Sequence, residues 1–106
     1  MTDYVQQRKV PRFNFIASVD ISDPASGVRL AGRISEISRK GCFIDVLNTL
    51  PKDSSVQLRV TRDRGSFVTA GRVIYTQDTV GMGVAFEGTA PDQLEILDSW
   101  LAELAV

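Results

Sequence analysis

The chain has 106 residues, 43% apolar and 24% charged, which suits one modest globular core and excludes an enzyme built from several lobes. With 12 Lys and Arg against 13 Asp and Glu the net charge is −1, so there is no overall basic field for nucleic acid. Histidine is absent and Cys42 is the single cysteine, which removes His-based catalysis, an internal disulfide and a cysteine-cluster metal site; we expect no enzyme, no metal and no cofactor.

The start, Met1 to Lys9, is polar and lacks the apolar core of a signal peptide. No apolar run approaches the roughly 18 residues of a membrane span, so the expected location is cytoplasmic, without direct membrane insertion. Residues 1–12 read as a flexible N-terminal arm, in which Pro11 fixes its own φ and pushes Val10 toward extended geometry. Phe13, Phe15, Ala17 and Val19 then alternate with polar residues, the period of a half-buried strand. The run from Ser22 to Gly27 is a turn by composition, and Val28, Leu30 and Ile34 share one parity of a second strand ending near Ile37.

Ser38 to Gly41 forms a tight turn, and Cys42, Ile44 and Val46 lie on one face of a third strand. A loop over 48–54 leads to a fourth strand with Val56, Leu58 and Val60 inward. The polar turn Arg62 to Gly65 precedes a long fifth strand, Phe67 to Thr76, where Gly71 is a candidate bulge. A sixth strand runs from Val80 to Glu87. The period then changes: Leu94, Leu97, Leu101 and Leu104 make one helical stripe beside Trp100. Thr89 and Asp92 have capping-box spacing, with Pro91 in the first turn. The expected architecture is all-β with a C-terminal helix, a small antiparallel barrel in one domain over 1–106, with the barrel in 13–88 and the helix in 89–105.

Three patterns carry a family resemblance. Arg8 and Arg12 frame an R-x-x-x-R, Glu36 to Gly41 reads E-x-S-x-x-G, and Gly81 to Phe86 reads G-x-G-V-x-F. In this order and on a chain of this length, they resemble the motifs of the PilZ domain family, which cover nearly the whole sequence. Glu36 stands where the family pattern has Asp or Asn. The resemblance implies a six-stranded antiparallel β-barrel and cyclic di-GMP as ligand, bound by Arg8, Arg12, Glu36, Ser38 and Gly41.

Those residue types suit that chemistry. Arginine pairs bidentately with phosphate oxygens or with the N7/O6 edge of guanine, and stacks on flat rings. Ser38 offers a hydroxyl, and Gly41 permits close backbone approach and positive φ. A carboxylate at position 36 accepts from the guanine N1–H and N2–H₂ donors, and Glu adds one methylene of reach and rotamer freedom relative to Asp. Three readings of Glu36 stay open: a ligand residue, a weakened ligand residue, or a solvent-facing strand residue. Lys9, Arg39 and Lys40 add supporting positive charge. Cys42 reads as a small buried hydrophobe, and Trp100 with the leucines as core.

The leading expectation is a cyclic di-GMP receptor that signals by ligand-induced ordering of its arm and docking to a protein partner. The alternative is a PilZ-like adaptor that binds no nucleotide and acts through protein contacts. A small barrel binding single-stranded nucleic acid would need exposed aromatics interleaved with basic residues, and Phe13 and Phe15 instead follow the core parity.

Overall fold

The structure, a computed structural model, describes residues 11–63 and 65–105. Arg8 and Lys9, and the arm before Pro11, lie outside the described residues. Six strands, β1 (Arg12–Ser22), β2 (Arg29–Ser38), β3 (Gly41–Asp45), β4 (Ser55–Arg62), β5 (Gly65–Gln77) and β6 (Gly81–Glu87), precede one helix, α1 (Pro91–Leu104). The strands close into an antiparallel barrel in the order β1-β2-β3-β6-β5-β4. This is the architecture expected from the alternation and from the resemblance.

The inward parities fill the barrel. Phe15, Ala17, Val19 and Ile21 of β1 meet Val56, Leu58 and Val60 of β4 and Phe67 and Val73 of β5 in one continuous core. Side chains fill the interior of a barrel of this size. Leu97 and Trp100 are the buried residues of α1. Trp100 sits against Phe15 at 5.6 Å and Phe67 at 6.2 Å between ring centroids. The helix is tied to strands and turns at several points. Gln93 accepts from the Val68 N–H at 2.8 Å, Arg62 pairs with Glu103 at 3.3 Å, and Arg39 Nε donates to Asp98 at 2.8 Å. It thereby plugs the barrel end at which β1 begins.

Simple alternation fails at three register slips, one in each of the pairs β1–β2, β2–β3 and β5–β6. Ser35 is the extra residue of β2 opposite β3, so Ile34 and Ile37, three apart, are both buried. The bulge expected at Gly71 is corrected: Gly71 keeps regular register with Phe86, and the slip falls between Val73 and Tyr75, at Ile74. Val28, expected on the core face with Ile34, lies just before β2 and is exposed. The capping box is also corrected. Ala90 is the N-cap and no side chain caps the helix. Thr89 Oγ1 is drawn instead to Thr69 Oγ1, 2.7 Å away, while Pro91 does occupy the first turn.

Candidate functional site

The registers place one row of residues across the outer wall of the barrel. Asn14 lies opposite Glu36, Glu36 opposite Phe43, Phe43 opposite Gly83, and Gly83 opposite Tyr75. A second row runs from Arg12 through Ser38 and its turn to Gly41 and Ala85. Side chains on one face of neighbouring strands meet, and here they surround a cavity of about 450 Å³. Arg12, Glu36, Ser38 and Lys40 form its polar side, and Phe43 and Tyr75 its aromatic side.

Arg12 Nη1 is 3.2 Å from Glu36 Oε1, with the two side chains 29% and 39% exposed. The serine hydroxyl organises the turn that follows β2. Ser38 Oγ accepts from the Lys40 N–H at 3.1 Å and donates to the Gly41 carbonyl at 3.4 Å. The turn is held from outside by the Phe86 N–H, which donates to the Lys40 carbonyl at 2.8 Å. Lys40 is thus fixed at the rim of the cavity, with no ion-pair partner among the described residues. Gly41 fulfils only half of its expected role. Its φ is not positive, but a Cβ there would collide with the carbonyl oxygen of Val84, so glycine allows β3 to approach β6 closely.

The aromatic side escaped the sequence reading. Phe43 and Tyr75 stack with centroids 6.0 Å apart and planes inclined by 30°. The Tyr75 ring lies directly on Gly83, where any Cβ would strike it. The only sequence signal was an aromatic at an outward parity on β3, between inward Cys42 and Ile44. Arg39, expected to support the site, points elsewhere: its guanidinium pairs with Asp98 of α1 and does not line the cavity. Cys42 is buried, as expected, and burial pushes its thiol up to about 12. No group of His, Cys, Asp or Glu that could hold a metal occurs among the described residues, and no helix among them is long and apolar enough to cross a membrane.

Fold and face together define a class: a small β-barrel domain whose candidate site lies on the outer wall, not inside. The chain belongs to the PilZ domain family, whose model matches residues 6–103. PilZ domains are ligand-binding regulatory domains and not enzymes. Among solved structures, the PilZ domain of YcgR from Escherichia coli with c-di-GMP has a TM-score of 0.76 at 16% identity, covering 94% of this chain and 92% of that one. The PilZ domain of CeSA from a cellulose-synthesizing bacterium has a TM-score of 0.70 at 14% identity, covering 91% and 99%. YcgR from Escherichia coli in complex with c-di-GMP has a TM-score of 0.78 at 17% identity, covering 93% of this chain and 46% of that one. At these identities the likeness is one of fold. No curated protein matches the chain in sequence.

Proposed function

We propose that this domain is a cyclic di-GMP receptor and that the outer-wall cavity is its ligand site. The carrying observation is the facing of polar groups, two of them cations, and rings across one cavity: Arg12, Glu36, Ser38 and Lys40 on one side, Phe43 and Tyr75 on the other. Cyclic di-GMP combines two phosphodiester charges with two guanines. Arg12 and Lys40 suit the phosphates, the Glu36 carboxylate suits the guanine N1–H and N2–H₂ donors, and the aromatic pair suits a flat base. The volume falls in the roughly 300–1,000 Å³ range of small-molecule sites. Family membership and the fold shared with two c-di-GMP complexes of YcgR support the same reading.

Arg8 and Lys9 complete the cationic side in this proposal, brought in by the N-terminal arm. Ordering of the arm on the ligand is the signal, read by a protein partner that docks afterwards. Hydrogen exchange over residues 4–12 is expected to slow on saturation, and identical protection with and without ligand overturns that switch.

The Arg12–Glu36 pair favours one second reading, an adaptor whose arginine is already occupied and which acts through protein contacts alone. Calorimetric titration with cyclic di-GMP, with GTP and cyclic GMP as controls, separates the two. The receptor releases heat with cyclic di-GMP selectively. A folded domain that gives none at high micromolar ligand is the adaptor.

A further inference from the structure

At the end of β2 away from the candidate site, the barrel wall is incomplete. β2 pairs with β1 along its length, from Arg12↔Ser38 to Ser22↔Arg29, but with β3 only from Arg33↔Asp45 to Ile37↔Cys42. Arg29 to Gly32 therefore have a strand on one side alone. The Asp23 N–H donates to the Val28 carbonyl at 2.9 Å. Hydrogen-bonded and non-hydrogen-bonded pairs alternate along an antiparallel ladder. Leu30 and Gly32 therefore turn their backbone groups to β1, and Arg29 and Ala31 turn theirs to the open edge. Among the described residues, no turn or loop hydrogen bond reaches Arg29 or Ala31.

A groove of about 440 Å³ runs along this edge, lined by Leu30, Ala31, Val46, Leu47 and Val80 among others. Leu47 is 75% exposed and Val80 53% exposed, unusually high for large apolar side chains gathered at one place. On the outer face the edge carries Arg29 and Ala31, and the next outward residue, Arg33, lies opposite Asp45 of β3. Arg33 already reaches Asp45 at 3.3 Å, whereas Arg29 has no ion-pair partner among the described residues.

We propose that this edge is a docking site for an extended segment of a partner protein, which adds as a strand beside Arg29–Gly32. Its backbone pairs with the open groups of Arg29 and Ala31, and its inward apolar side chains settle against Leu30, Val46, Leu47 and Val80. Its outward residue opposite Arg29 is acidic, because opposite charges across strands stabilise the pair. The surface is separate from the cyclic di-GMP site, so it stands whether or not that ligand binds.

The probe is an acetylated, amidated peptide Gly-Glu-Val-Thr-Val-Glu-Val-Gly, followed by amide exchange and chemical shifts of the intact domain. Saturating peptide is expected to slow exchange of the Arg29 and Ala31 amides by at least about tenfold and to shift the Asp45–Leu47 amides. Replacing both Glu by Lys, or N-methylating the peptide backbone, should abolish the effect. Ala31→Pro removes an edge donor without touching the β1 ladder and should also abolish binding. Should that variant fail to fold, the N-methylated peptide still decides the matter. Absence of protection at millimolar peptide, or equal protection by the Lys peptide, overturns the proposal. So does protection of the same amides by self-association of the domain without any peptide.

Discussion

Arg12 Nη1 and Glu36 Oε1 lie 3.2 Å apart, so the arginine motif and the serine motif are already joined across β1 and β2. The pair is partly exposed, and such pairs contribute about 0–1 kcal/mol. Breaking it to admit a phosphate therefore costs at most about fivefold in affinity. That is too little to block a ligand that brings two phosphodiester charges, and this magnitude argues against the adaptor reading. The pair instead keeps both side chains on the same wall of the cavity.

Arg12→Ala should weaken cyclic di-GMP binding by roughly 2–5 kcal/mol, the cost of removing one partner of a desolvated charge pair. Arg12→Lys should recover only part of this, because an ammonium cannot make the bidentate contact. Calorimetry on both variants checks the order wild type, Lys, Ala. Equal affinity for all three would remove Arg12 from the site.

Glu36→Ala should weaken binding by about 1–3 kcal/mol, since guanine donors lose their acceptor. Glu36→Asp shortens the side chain and frees less rotamer entropy to be lost on binding, and is expected to bind at least as tightly as wild type. If both substitutions leave affinity unchanged in a protein that binds, Glu36 is a solvent-facing strand residue that merely holds Arg12.

Tyr75→Ala should cost roughly 1–3 kcal/mol of affinity if a base stacks on the Phe43–Tyr75 pair. Gly83→Ala offers an independent approach, because its Cβ must push the Tyr75 ring off its seat. Both variants should lose affinity while keeping the barrel's circular dichroism. Unchanged affinity in both would leave the rings without a role in recognition.

The reach of the sequence is clearest where period and pairing agree. Phe15, Ala17, Val19 and Ile21 alternate through β1 because one face of a barrel strand must be apolar, and the structure buries all four. The slips at Ser35 and Ile74 were not legible, since a bulge is a mismatch between two strands and neither strand carries it alone. Arg12, Glu36, Ser38 and Gly41 could be gathered from motif spacing. Phe43 and Tyr75 could not, because their stacking depends on β3 and β5 both flanking β6, a topological fact. Arg39 stands beside Ser38 in the sequence and reads as supporting charge, but its partner Asp98 lies 59 residues on, beyond any local pattern.

Trp100→Ala should destabilise the fold by about 3–5 kcal/mol, because it empties the seat between Phe15 and Phe67 under α1. Urea denaturation should show a lower midpoint with little change in slope. A loss below about 1 kcal/mol would mean that the helix is not part of the cooperative core.

Cys42 should resist thiol reagents in the native state and react once the domain is unfolded. Its thiol is pushed from its ordinary 9.0 up to about 12 by burial. Below pH 9 both states hold the neutral thiol, and its contribution to stability is constant. Between 9 and about 12 the unfolded thiol ionises first, so this contribution falls as pH rises. Labelling rates at pH 8 and denaturation midpoints across that alkaline window check both statements. Rapid native labelling would place the thiol at the surface.

The most direct test of the ligand site is a titration of the isotopically labelled domain with cyclic di-GMP, followed by amide chemical shifts. The largest shifts are expected at Arg12, Glu36, the Ser38–Gly41 turn, Phe43 and Gly83, with the groove beside Ala31 unmoved. Saturating ligand that leaves those amides in place, or that moves only residues on another face of the barrel, would contradict the assignment of the outer-wall cavity as the cyclic di-GMP site.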